Sequence, residues 1–404
     1  TLDLGPVYRI NLFFKPAVMF HTPDAVETVL KNRDGNFSSE QAWAPLLGKL
    51  FQNGLMTRDG EEHRYHRRLL GEPFRKPAMR GYTQVMNPTI ISDVASWASD
   101  ENFHAFDRVK LLTLNIATTA LLGLDLGERA EKTNKSFEAL VGASAAYIRV
   151  PVPGLAWWRG LRGRAYLERL FHDLIQQRRD GDGKDMITRM CHSTDEDGNR
   201  FKDNEIVDHM IFMLMAAHDT STSALTNLMY MLGRHTDWQE RLRSECQAID
   251  SPALAHEDLD KLPDTRLAFQ ETLRMFPPLR STPRRAIKDC VVAGYEIPAG
   301  TFVWVSPEYS QLYSPLWTDP ERFDPDRFSA ERAEDRQHPF LWAPFGGGAH
   351  LCLGNHFADM QIKTIMHQVL TRYRWSVAED YNPDYKYIPF PCPRDRLPLA
   401  LEKI

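Results

Sequence analysis

The longest helical pattern in the chain, residues 203–233, is apolar on nearly all sides through its middle, Met210-Ile-Phe-Met-Leu-Met-Ala-Ala-His-Asp. A helix without a polar face must be wrapped by protein, so this segment dictates a core built around it. Asp219 and Thr220 interrupt the apolar run. An acid inside a core is costly unless it is paired or put to use. One reading pairs Asp219 with a buried base and bonds Thr220 back to a carbonyl one turn earlier. The other gives the two residues proton chemistry in an active site.

Further helical periodicity predicts helices over 61–71, 76–98, 107–122, 133–148, 160–179, 236–248 and 264–275. Residues 5–20 and 284–305 read as short strands, and Thr22-Pro23-Asp24 as the cap of a helix to about Lys31. From Ser306 to Gly348 the chain is irregular and rich in Pro, Trp and Phe, and such long segments tend to be functional. A last helix is predicted from near Cys352, and short strands follow from about Arg374 to Leu401. The fold class expected is mainly α with small β-sheets. No linker, repeat or low-complexity run divides the chain, so residues 1–404 are expected to form a single domain.

A net charge of −5 argues against nucleic acid as a partner. The five cysteines are scattered and odd in number, which suits a reducing compartment rather than a disulfide framework. No apolar window of membrane-spanning length appears and the opening residues do not read as a signal peptide, so a cytoplasmic monomer is expected.

Residues 344–354 read Pro-Phe-Gly-Gly-Gly-Ala-His-Leu-Cys-Leu-Gly. A glycine-rich turn lets backbone approach a partner closely and aim N–H groups at it. Cys352 stands at the end of that turn, where a helix N-terminus and turn amides favour thiolate. Chemistry alone leaves three readings: an inert buried thiol, a nucleophile, or a single axial metal ligand. No second Cys or His pair stands at zinc spacing.

The pattern Phe345-x-x-Gly348-x-His350-x-Cys352-x-Gly354 resembles the haem-binding signature of the cytochrome P450 family. Three further motifs match in order. Glu271-Thr-Leu-Arg274, followed by Met-Phe-Pro-Pro, resembles the family's E-x-x-R element; on spacing alone it would be a surface pair worth a few tenths of a kcal/mol. Pro320-Glu321-Arg322-Phe323 resembles a later P-E-R-F element. Ala216-Ala217-His218-Asp219-Thr220-Ser221 resembles the stretch that crosses the distal face of haem, with Ala217 where glycine is commonest.

The resemblance implies the P450 fold, a triangular prism with haem b between the long central helix and the Cys-loop helix. It implies Cys352 as the iron ligand, with Phe345 near the sulfur and Gly354 closing the loop. His63 and Arg67, i,i+4 on one helix side, would meet a haem propionate with His350 and Arg284, with Arg285 the off-by-one alternative to Arg284. Glu271, Arg274 and Arg322 would form a buried structural network. Asp219 would deliver protons and Thr220 order water at the reacting oxygen.

The pocket implied is lined by residues including Leu50, Tyr147, Met213, Ala216, Ala217, Leu279 and Phe390, and suits a hydrophobic small molecule. No flavin or iron–sulfur motif is present, so electrons from NAD(P)H are expected to arrive indirectly, through a ferredoxin or similar donor with its reductase. The implied function is a monooxygenase inserting one atom of O2. Alternatives are a peroxide-driven haem-thiolate peroxygenase, a non-catalytic haem-thiolate binding protein, and an isomerase or dehydratase on the same fold.

Overall fold

The computed structural model describes residues 5–12, 15–99, 102–125, 127–388 and 390–404. Helix Asp203–Arg234 runs through its middle. It starts where Glu205 accepts from the Lys202 amide at 2.8 Å, with Asp203 and Glu205 set against the positive helix end. Beyond that turn nearly every residue is buried. Helices Ala105–Ile116, Ala156–Arg178 and Pro263–Met275 pack on it. Together they enclose the larger of the hydrophobic cores.

A five-stranded sheet flanks this helical body. Its order is Val7–Leu12, Lys15–Phe20, Phe302–Val305, Thr282–Ala286 and Phe37–Ser38. Only the Lys15–Phe20 and Phe302–Val305 pair is parallel. Pairing of Arg284 with Val303 fixes the register of the strand that carries Arg284. Under the sheet, helix Pro23–Lys31 buries Ala25, Val26, Val29 and Leu30 in a second core.

The predicted helices form, with shifted ends. The segment expected over 133–148 is Glu128–Ser144, and that expected over 160–179 is Ala156–Arg178, which takes in Trp157 and Trp158. The helix predicted from near Cys352 begins three residues later, at Asn355. Three short helices, Glu40–Leu47, Met186–His192 and Pro307–Tyr313, form where no helix was predicted. Each spans about two turns, too short for a 3.6-residue period to declare itself, and Glu40–Leu47 also contains Pro45. Among the described residues, no helix is long and apolar enough to cross a membrane.

Candidate active site

One cavity of about 1170 Å³ opens between the central helix and the Cys-loop. Its lining is mostly apolar, and its size leaves room for a cofactor beside a small molecule. Met213, Ala216, Ala217 and Thr220 line it from the central helix. Phe345, His350, Cys352 and Gly354 line it from the loop, and Tyr147, Leu279 and Phe390 complete its wall.

The loop is held by its backbone. The Cys352 amide donates to the Phe345 carbonyl at 3.0 Å. Gly348 has φ +64°, and a Cβ there would fall 2.1 Å from the Leu30 carbonyl oxygen, so only glycine fits. Cys352 is exposed, and it lines the cavity. Burial pushes the thiol up, against the opposite pull of the Gly354 amide and Arg67.

The basic side chains that line the cavity include His63, Arg67, Arg284 and His350. Burial lowers Arg284 to about 10, with Asp59 pulling the other way. Burial also lowers Arg67. Among the described residues, neither guanidinium pairs with a carboxylate. His63 and His350 stack with ring centroids 4.1 Å apart, and the His63 Nε2 is buried without a partner. Burial, then the charges of His350 and Arg67, holds His63 down at about 4. Burial likewise lowers His350.

Asp59 was not foreseen from the sequence. It lies 3.7 Å from His350 Nε2. Burial alone would raise its carboxyl, but hydrogen bonds from His350, Ser38 and the Ser39 and Glu40 amides outweigh that and hold it at about 2. Two guanidiniums without a carboxylate partner and an orphaned imidazole nitrogen at the cavity call for an anionic ligand. A dianionic porphyrin fits it, with Cys352 as the sulfur donor.

Two expectations are corrected, those for Arg322 and Leu50. Arg322 is exposed and contributes only its carbonyl to the charge network. Arg327 takes the expected place: its Nε donates to Glu271 Oε1 at 3.0 Å, while Arg274 bonds Glu271 at 2.7 and 2.9 Å. The sequence offers two Arg-Phe steps, Arg322-Phe323 and Arg327-Phe328, and only the tertiary path of the loop decides between them. Leu50 lies in the core behind the cavity, where its carbonyl accepts from Arg164. Asp219 does not line the cavity; it flanks it, next to Thr220, with Oδ1 3.1 Å from His218 Nδ1. Arg284 lines the cavity, whereas Arg285 packs over Phe302 at 4.8 Å. The helix passes unbroken through Ala217.

A central helix over a Cys-loop, with cations along one wall, defines the haem-thiolate class of protein. The chain belongs to the cytochrome P450 family, whose profile matches residues 3–396. It is 39% identical over 403 residues to a putative cytochrome P450 136 of Mycobacterium tuberculosis, covering 98% of this chain and 82% of the relative. It is 27% identical to a putative cytochrome P450 120 of Synechocystis, covering 100% and 90%. A retinoic acid-bound cyanobacterial CYP120A1 superposes with a TM-score of 0.91 at 26% identity, covering 100% and 93%. The chain is thus a P450 monooxygenase. Its cofactor is haem b, and NAD(P)H electrons reach it through redox partners.

Proposed function

We propose that this chain inserts one atom of O2 into a hydrophobic small molecule, with Cys352 as iron ligand and electrons from a ferredoxin with its reductase. The observation that carries the site assignment is that the Cys352 thiol, the Arg67 and Arg284 guanidiniums and the His63 and His350 imidazoles all line a single, mostly apolar cavity. Arg67, Arg284, His63 and His350 hold the haem carboxylates; the guanidiniums give permanent charge and directed donors. The bound haem supplies oxygen activation, for which thiolate ligation favours O–O cleavage.

Thr220 donates its hydroxyl proton to the Ala216 carbonyl at 2.5 Å. Its oxygen lone pairs are thereby left to accept a hydrogen bond from a species in the cavity. Asp219, one residue away and partly exposed, is placed to bring protons from solvent. Met213, Ala216, Ala217, Leu279 and Phe390 give substrate an apolar wall and exclude water. Tyr147, 85% exposed, stands at the mouth. The retinoic acid held by the structural relative supports an extended, largely apolar substrate.

Reconstitution with haem tests the assignment. The reduced protein under carbon monoxide should give the red-shifted absorption of thiolate ligation, and Cys352→Ala should abolish it while haem still binds. The same red-shifted spectrum from Cys352→Ala would defeat the assignment.

A further inference from the structure

His218 stands at a position that the site assignment leaves idle. It is 1% exposed, packed edge-on against Phe137 at 5.6 Å. Its Nε2 lies 3.2 Å from the Lys110 carbonyl oxygen. A carbonyl only accepts, so Nε2 carries the hydrogen. A neutral ring then presents a bare Nδ1 lone pair to Asp219. Nδ1 lies 3.1 Å from Asp219 Oδ1, off the line of a straight hydrogen bond. Two acceptors at that distance in a buried place repel each other. One proton between them removes the repulsion and turns the contact into a charge-assisted one.

The surroundings supply no other partner. Among the described residues, Asp219 Oδ2 is buried without a hydrogen bond. The side chain of Lys110, whose carbonyl faces the ring, pairs with Glu138 at 2.7 Å. Nothing in that pair cancels the need for a proton at Nδ1.

We propose that His218 is the proton-sharing partner of Asp219, so that the pair holds one proton beside Thr220 for transfer into the cavity. This inference rests on the proposed role of Asp219. The proton moves from His218 Nδ1 to Asp219 Oδ1. The carboxylic acid so formed donates on the Thr220 side, and solvent returns a proton to the pair through the exposed edge of Asp219.

The test compares His218→Phe, His218→Gln and Asp219→Asn in the haem-loaded protein, with any substrate that gives a measurable product. The readouts are the fraction of electrons lost as hydrogen peroxide and the solvent isotope effect on turnover. 15N NMR of the unsubstituted protein adds a reading of the His218 ring that is independent of turnover. Both His218 variants should keep the carbon monoxide spectrum, raise the peroxide fraction at least about twofold and change the isotope effect, as Asp219→Asn does. The NMR should show hydrogen on Nε2 and a shared proton at Nδ1. Wild-type behaviour of His218→Gln, which keeps an N–H donor but shuttles no proton, would overturn the proposal. So would a bare Nδ1 by NMR. An effect of Asp219→Asn without any of His218→Phe would overturn the partnership and leave the role of Asp219 standing. No effect of Asp219→Asn would remove the reading on which the inference rests.

Discussion

Around Glu271, two guanidiniums meet two carboxylates; beside the Cys-loop, Arg67, Arg284, His63 and His350 gather near one, Asp59. In the first group Arg274 and Arg327 are fully buried, yet each bonds Glu271, and Arg327 also bonds Glu334 at 2.9 Å. Their remaining donors go to backbone: Arg274 to the Gln311 and Pro320 carbonyls, each at 2.7 Å, and Arg327 to that of Thr318 at 2.8 Å. In the second group, among the described residues, Arg67 has no carboxylate, and Arg284 finds only the Pro283 carbonyl at 2.8 Å and the Thr282 hydroxyl at 3.4 Å. Buried charge that is satisfied within the chain ties chain to chain. Buried charge left over marks where the chain expects something else.

Breaking the satisfied group should have the largest effect. Glu271→Gln leaves two buried guanidiniums facing a neutral amide and should cost about 3–5 kcal/mol in chemical denaturation. A loss below about 1 kcal/mol would erase the distinction between the groups. Arg284→Leu should do the reverse in the unsatisfied group. The haem-free protein should be at least as stable as wild type, since an uncompensated charge has gone. Haem should leave roughly 10- to 100-fold faster, equivalent to about 1.4–2.7 kcal/mol, as read by transfer to an apo-globin acceptor.

His63 sharpens the comparison through pH. Its folded value of about 4 lies below the usual 6.5, so between these values the unfolded chain binds the extra proton. The part of the haem-free protein's stability that His63 carries should be full above pH 6.5 and be lost, by about 1–2 kcal/mol, as pH falls towards 4, beside a similar loss from His66. His63→Gln should flatten that decline, as should haem, by giving the charged ring a carboxylate. An unchanged slope in both cases would count against the placement of His63. The smallest effect is expected for Arg322→Ala. Its side chain is outside the network, so stability should stay within about 0.5 kcal/mol of wild type.

The long amphipathic and apolar helices were legible because a 3.6-residue period repeats often enough to stand out. The cavity residues legible beforehand are those held by local sequence grammar: the Cys-loop residues, the His63 and Arg67 pair one turn apart, and Thr220 inside an apolar helix. What stayed hidden depends on distant chain meeting distant chain. Asp59 reaches His350 across nearly the whole sequence. Arg327 rather than Arg322 enters the network because the loop curls so that Arg322 offers a carbonyl inward. Leu50 looked like pocket lining because apolar character does not say which side of a wall a residue faces. At Thr220 the modest expectation and the functional one coincide, since the bond to Ala216 frees the oxygen that faces the cavity.

The seat of Gly348 against Leu30 has a mechanical consequence. A single hydrogen atom, where every other residue carries carbon, lets the sulfur-bearing turn rest directly on the first helix. That helix therefore acts as the anvil that sets the height of the Cys352 sulfur. Shifting it by the width of one methyl group would tilt the sulfur from outside the Cys-loop.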